Sequence, residues 1–131
     1  MSIAEKSKKY FLHEDMNCAE SLLRAANDEY SLNLDEHSLK LSGGFGGGLY
    51  VGATCGAICG AVMALSRLYN AERAHTSPIL KEKTQEFMNK FEQEFEFFDC
   101  GVLKDRHYEE GSKCARLVET ASSILDSVIN T

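Results

Sequence analysis

Eight of the ten glycines in this 131-residue chain lie between Gly43 and Gly60. No charged residue occurs between Lys40 and Arg67. Most of that stretch is Gly, Ala, Ser and Thr, so insertion into a membrane would gain too little from its few large side chains. We therefore expect a buried helix here and no membrane insertion.

The predicted buried helix has small residues at four-residue intervals, at Gly52, Gly56 and Gly60, beside a parallel series of alanines that includes Ala57. One face of this helix therefore has almost no side-chain bulk, and a neighbouring helix or a cofactor can approach its backbone closely. Each glycine within a helix costs about 1 kcal/mol relative to alanine. Close packing or cofactor contact at Gly56, Ala57 and Gly60 would offset that cost.

A glycine run precedes this helix at 43–48, with Phe45 as its one other residue. No strand pattern comes before the run, and it lacks both the Gly-Lys-Ser/Thr of a P-loop and the third glycine of a dinucleotide-binding loop. Nucleotide binding is therefore the weaker interpretation of the run. The run can still form an anion-binding approach to the amino end of the next helix.

Helical periodicity dominates the rest of the sequence, and no alternating strand pattern of useful length occurs. Helices are predicted from about Ile3 to Leu12, Met16 to Tyr30, Asp35 to Leu41, Ser77 to near Phe98, and Ser112 to Ile129. A loop is predicted around Asp99-Cys100-Gly101. With a length that suits one core, these patterns predict a single all-α domain over 1–131, a bundle of about five or six helices around a glycine/alanine-rich central helix.

Two boundaries have specific cap signals. Asp15 or Asn17 is the expected cap of the second helix, and Ser77 followed by Pro78 is the expected start of the long acidic helix. On that helix, the phenylalanines repeat at helical spacing and are expected to lie in the core. Its glutamates are expected to form a solvated face, since the long helix has no Glu-x-x-His pair for a carboxylate metal site.

The charge balance excludes one class of partner. The chain has 14 Lys and Arg against 20 Asp and Glu, a net charge of −6. No basic patch dominates, so nucleic-acid binding is not expected. The amino terminus carries charges where a signal peptide would be apolar, which favours a cytoplasmic location.

The five cysteines are the first indication of chemistry. Without a secretion signal, they favour a metal site or a redox-active thiol pair over a disulfide scaffold. Cys55 is expected near the start of the glycine-rich helix, where backbone N–H groups and the helix dipole lower a thiol pKa. It is therefore the best single candidate for a reactive thiol, with Cys59 one turn later.

The other three cysteines lie on separate segments. Cys18 and Cys114 fall on the apolar faces of their predicted helices, and Cys100 falls in the predicted loop. Four segments can thus bring sulfur to one point, although a single inward cysteine is more often a small buried hydrophobe. Among the histidines, His107 lies midway between Cys100 and Cys114 and is the one candidate for an extra ligand or proton donor.

The ordered pattern resembles a known family. Asn17-Cys18 at a helix start, the glycine run, the segment from Cys55 to Gly60 (Cys-Gly-Ala-Ile-Cys-Gly) and the isolated Cys100 and Cys114 are similar to the C-GCAxxG-C-C family, which is described as redox-active. The resemblance covers most of the chain, from Asn17 to Cys114, and its specificity comes from the ordered combination.

The resemblance implies which residues form the site. Cys18, Cys55, Cys100 and Cys114 match the four signature cysteines, and Gly56, Ala57 and Gly60 match the small-residue motif. Cys59 falls at a variable position, and Thr54 stands where the family name has a glycine. The chain has no Cys-x-x-Cys-His sequence, so covalent haem is not expected.

Three hypotheses follow. The leading one is a thiol–disulfide oxidoreductase of unknown substrate and redox partner, with Cys55 as the attacking thiolate and another signature cysteine as the resolving thiol. The second is a metal or electron-transfer module in which Cys18, Cys55, Cys100 and Cys114, with Cys59 as a further candidate, hold zinc, iron or an iron–sulfur cluster. The third is a helical interaction protein with buried cysteines, forming a homodimer through its small-residue helix.

Overall fold

A computed structural model describes residues 1–131 and is all-helical, without a β-strand. Its seven α-helices are α1 (Ile3–His13), α2 (Cys18–Tyr30), α3 (Glu36–Lys40), α4 (Gly56–Tyr69), α5 (Pro78–Phe95), α6 (Cys100–His107) and α7 (Ala115–Ile129). The prediction of an all-α fold is confirmed. None of these helices combines the length and the apolar character that crossing a bilayer requires.

The structure has one helix more than the upper limit of the prediction, because the segment predicted as a loop around Cys100 forms α6. Leu103 is the single buried residue of this eight-residue helix, so the sequence carries no amphipathic pattern that would reveal it. Contacts with the Gly48–Gly52 turn hold α6 in place. Tertiary packing, and not local periodicity, accounts for this helix.

The glycine-rich helix begins later than its four-residue pattern suggests. α4 starts at Gly56, whereas Gly52 lies in the preceding turn with a left-handed φ of 75°. The prediction that Gly52 belongs to the same helical face is therefore wrong. Glycine is the residue that adopts this conformation without a steric cost.

The core is built by α2, α4 and α7, with α1 packed on α2 and α7, and α5 packed on α4 and α7. Phe87, Phe91 and Phe95 of α5 are buried, as their helical spacing predicts. The rings of Phe91 and Phe95 lie 4.8 Å apart between centroids. This aromatic stripe holds the long acidic helix against the rest of the bundle.

The two cap predictions have different outcomes. Asn17 caps α2 in a capping box, since its side chain accepts from the Glu20 N–H and the Glu20 carboxylate accepts from the Asn17 N–H, both at 3.0 Å. Ser77 precedes α5 but makes no side-chain cap bond. Its hydroxyl instead accepts from the Ala71 N–H at 3.0 Å and donates to the Arg73 carbonyl at 2.9 Å.

The small-residue face of α4 is covered by α2 of the same chain. A Cβ at Gly60 would lie 2.7 Å from the Ala19 carbonyl oxygen and 3.2 Å from the Leu22 Cβ. Gly56, Ala57 and Gly60 are all buried, so helix packing within the chain occupies this face. Cofactor contact at these residues and a homodimer through this helix stay predictions.

We expect Gly60→Ala to destabilise the protein, because the added methyl group meets backbone atoms of α2 that cannot move away alone. The expected loss in the free energy of unfolding is about 1–3 kcal/mol, in spite of the higher helix propensity of alanine. Urea denaturation of the two proteins measures this difference.

Gly44→Ala is the matched control. A Cβ at Gly44 meets nothing within 4 Å, so its effect on stability should stay within about 0.5 kcal/mol. Equal midpoints for the Gly60 and Gly44 variants would contradict the account of α2–α4 packing.

Candidate functional site

Four of the five cysteines lie at the amino ends of four different helices. Cys18 and Cys100 are the first residues of α2 and α6, and Cys55 and Cys114 are the cap residues of α4 and α7. These four are the signature cysteines of the sequence pattern, and all five cysteines are free thiols. Helix amino ends carry unpaired N–H groups and partial positive charge, which favour thiolates.

Three of these cysteines line one cleft. Its volume is about 350 Å³, within the range of small-molecule sites. The lining residues are Phe11, Asn17, Cys18, Gly47, Gly52, Cys100, Gly101, Lys104, Tyr108, Lys113 and Cys114. The structure therefore brings Cys18, Cys100 and Cys114 together at a surface that solvent and small molecules can reach.

The glycine run and the start of α4 position Cys18. The Asn17 side-chain amide donates to the Gly43 carbonyl at 2.9 Å, and a Cβ at Gly46 would overlap the Asn17 side chain. A Cβ at Gly56 would overlap the Cys18 Sγ and would also lie 2.9 Å from the Phe45 carbonyl oxygen. Glycine at 46 and 56 thus lets the start of α2 sink against the glycine run.

Cys55 and Cys100 are held by a short backbone bridge. The Cys55 N–H donates to the Phe98 carbonyl at 2.8 Å, and the Cys100 N–H donates to the Ala53 carbonyl. Gly48 has a φ of 63°, and a Cβ there would lie 2.6 Å from the Cys100 Cβ. The bridge and this close approach fix the amino ends of α4 and α6 beside each other.

A charge on Cys18 raises the pKa of each of the other four thiols. Burial is the first cause that raises the pKa of Cys55, Cys59, Cys100 and Cys114, and a charge on Cys18 is the second cause for each of them. A thiolate at Cys18 therefore opposes ionisation of the other four. Cys18 is therefore the one thiol whose charge influences all the others.

The expectation of a low pKa at Cys55 is wrong. Its side chain is only 3% exposed, and burial raises its pKa to about 12. The nearby backbone N–H groups of Ala57 and Ile58 lower the pKa, as expected at a helix start, but the loss of solvation outweighs their effect. Cys55 is thus buried behind the cleft and does not line it.

Cys59 faces a different cavity. It is half-buried and lines an apolar groove of about 410 Å³ together with Ile58, Met63 and Met88. The cleft of Cys18, Cys100 and Cys114 does not include it. The variable motif position therefore corresponds to a thiol outside the shared cleft.

His107 lies outside the cleft as well. Its ring packs edge-on against Phe95 with the centroids 5.1 Å apart. Burial lowers its pKa, helped by the charges of Arg116 and Arg106. The contact with Phe95 gives His107 a packing role at the end of α5. A role as an extra ligand or proton donor stays a prediction.

The metal hypothesis finds no matching arrangement. The structure contains no group of three or more His, Cys, Asp or Glu side chains placed to hold a metal ion. Cys18, Cys55, Cys100 and Cys114 approach closely enough to influence one another's pKa, yet they do not form a ligand set, and Cys59 faces the other groove. Zinc, iron or an iron–sulfur cluster held by these cysteines stays the alternative prediction.

One of the comparisons with known proteins finds a match. The pattern of the family described as "Putative redox-active protein (C_GCAxxG_C_C)" matches residues 16–128. The chain belongs to the C_GCAxxG_C_C family. No curated protein and no solved structure matches it. The family resemblance noted in the sequence is thus confirmed, and the match runs from just before Cys18 to the last turn of α7.

Sequence reasoning missed the non-cysteine residues of the cleft. Phe11 comes from the last turns of α1, Lys104 from α6, and Tyr108 and Lys113 from the turn between α6 and α7. Lysine and tyrosine at such positions normally indicate only exposed surface. Their proximity to the cysteines depends on how α6 and α7 dock, which no local pattern encodes.

We expect Cys55 to be the slowest of the five thiols to react with iodoacetamide at about pH 8. A pKa of about 12 against an ordinary 9.0 leaves roughly a thousandfold less thiolate, and burial adds a barrier to access. Peptide mass spectrometry after timed quenching measures each rate. In denaturant all five cysteines should react alike, and a native Cys55 rate equal to that of Cys100 would refute this ranking.

The raised pKa of Cys55 also predicts a stability change at high pH. The unfolded chain ionises this thiol from about pH 9, whereas the folded protein resists until about pH 12. The contribution to stability is therefore complete below pH 9 and is lost as the pH rises toward 12. Urea denaturation across this range should show a smaller loss in the free energy of unfolding for Cys55→Ala than for the unmodified protein. Equal losses in the two proteins would argue against the raised pKa of Cys55.

Proposed function

We propose that this C_GCAxxG_C_C family member carries out reversible thiol–disulfide exchange, with Cys18 as the attacking thiol. The observation that supports this role is the position of Cys18, which both lines the open cleft and acts electrostatically on every other cysteine. Cys55, the candidate suggested by sequence, is too deeply buried to meet a substrate first.

The reaction consists of two exchange steps. The Cys18 thiolate attacks one sulfur of a substrate disulfide, so that a mixed disulfide forms and one substrate thiolate leaves. A second protein thiolate then attacks the Cys18 sulfur, which releases the other half of the substrate and leaves a protein disulfide. Two protein thiols have lost two electrons and two protons, and the substrate has become two thiols. An external dithiol reverses the process.

Cys100 and Cys114 are the candidates for the resolving thiol because both line the same cleft as Cys18. Cys114 is influenced by the charges of both Cys18 and Cys100, and Lys104 partly offsets the rise in pKa at Cys100 and Cys114. Cys55 does not line the cleft, and its part in the redox site stays a prediction from the family pattern.

Burial and the charge on Cys18 raise the pKa of the other four thiols, so more than one thiolate at a time is disfavoured in the cluster. The helix amino ends can still stabilise the single thiolate that attacks. The cytoplasm, which keeps thiols reduced, remains the predicted compartment, and a homodimer remains a prediction.

The test is an intact mass measured without oxygen, before and after treatment with a small neutral disulfide. We expect a loss of two hydrogens that dithiothreitol reverses, because two protein thiols form one disulfide. Cys18→Ser should slow this oxidation by at least about tenfold. Cys59→Ser is the matched control and should oxidise like the unmodified protein, since Cys59 faces the other groove.

Three outcomes would contradict the proposal. Oxidation of Cys18→Ser at the unmodified rate would remove Cys18 from the attacking role. An added mass of zinc, iron or an iron–sulfur cluster before oxidation would support the metal module instead. An unchanged mass in both states would support cysteines that only pack in the core.

A further inference from the structure

The cleft beside Cys18 carries positive charge. Lys104 and Lys113 are among its lining residues, whereas no aspartate or glutamate is. This contrasts with the whole chain, whose net charge is −6. The local excess of positive charge therefore belongs to the site and does not follow from composition.

Neither lysine is neutralised by a partner. The ion pairs of the structure involve Lys6, Lys8, Arg24, Lys90 and Arg106, and none involves Lys104 or Lys113. The Lys104 ammonium instead lies 5.5 Å from the centre of the Tyr108 ring, which holds it beside the cleft without cancelling its charge. Both ammonium groups are thus available to an anion.

The backbone at Lys113 is held in an unusual conformation. Its φ is 55°, in the left-handed region, which residues other than glycine rarely adopt. Two backbone hydrogen bonds with Glu109 fix it. The Lys113 N–H donates to the Glu109 carbonyl at 2.6 Å, and the Glu109 N–H donates to the Lys113 carbonyl at 3.0 Å. The turn so formed brings Lys113 to the cleft directly before Cys114.

We infer that the cleft takes a small disulfide that carries carboxylate groups, with Lys104 and Lys113 binding the carboxylates while Cys18 attacks the sulfur. This inference rests on the proposed thiol–disulfide function. The volume of about 350 Å³ suits a small molecule, and two unpaired cations beside a nucleophilic sulfur suit an anion. The lysines act as specificity residues.

The bonds and electrons balance as in any disulfide exchange. The dianionic disulfide is reduced to two thiols, each of which keeps its carboxylate, and the protein is oxidised to one disulfide. The lysines exchange no proton or electron. Their contribution is to bind the substrate anion and to counter its repulsion from the approaching thiolate.

Three small aliphatic disulfides that differ in charge provide the test. They are 3,3′-dithiodipropionate, a dianion; bis(2-hydroxyethyl) disulfide, which is neutral; and cystamine, a dication. The second-order rate of protein oxidation is followed by intact mass under low-salt conditions, and each rate is divided by that of a free thiol such as N-acetylcysteine amide. This division removes the intrinsic reactivity of each disulfide.

We expect the normalised rate for the dianion to exceed the neutral rate by about tenfold and the cystamine rate by more. The double variant Lys104→Gln, Lys113→Gln should lose most of that tenfold preference, taken as the ratio of its rate with the dianion to its rate with the neutral disulfide. This ratio cancels any change in thiol pKa that the loss of Lys104 causes at Cys100 and Cys114. Lys81→Gln is the control, because Lys81 is exposed on α5 and does not line the cleft. About 1 M salt, where the Debye length is about 3 Å, should reduce the preference in the unmodified protein.

The neutral probe separates this inference from the proposed function. Equal normalised rates for all three disulfides, or a preference that survives in the double lysine variant, would overturn the anionic substrate class while leaving exchange at Cys18 intact. No oxidation by any of the three would overturn both. A loss of preference in Lys81→Gln equal to that of the double variant would assign the effect to net charge and would likewise overturn the inference.

Discussion

The close contact between the start of α2 and the start of α4 is the constraint on which the rest of the site depends. It is possible only because residues 56 and 60 have no Cβ where Cys18, Ala19 and Leu22 lie against them. Tight packing offsets the helix-propensity cost of those glycines. The same contact sets Cys18 between the glycine run and the other thiols, so the packing of the core and the geometry of the site have one origin.

Two opposing effects act on the thiols gathered there. The four signature cysteines lie at helix amino ends, where unpaired N–H groups and partial positive charge favour thiolates. Burial and the charge of Cys18 act in the other direction and raise the pKa of Cys55, Cys59, Cys100 and Cys114. The helix position of a cysteine therefore does not predict its reactivity alone, and Cys55 illustrates how strongly desolvation can dominate.

The sequence predicted most of the scaffold because strong periodicity reflects burial directly. The α5 phenylalanines and the α7 apolar positions lie in the core, and the Asn17 cap begins α2. The sequence pattern did not predict α6, because this helix has only one buried residue. It also placed Gly52 in the helix, because Gly52 continues the four-residue glycine pattern although its φ is left-handed. In both places neighbouring segments, and not local preferences, decide the backbone.

The sequence by itself determined the all-α class, the four signature cysteines and the small-residue motif, because each is a local pattern or an ordered set of residue types. Only the tertiary structure decided that Cys18, Cys100 and Cys114 share a cleft while Cys55 lies behind it and Cys59 faces elsewhere. It also brought Lys104 and Lys113 to that cleft. The physical reason is that exposure and proximity depend on how separate helices dock, and docking is set by contacts between residues far apart in the chain.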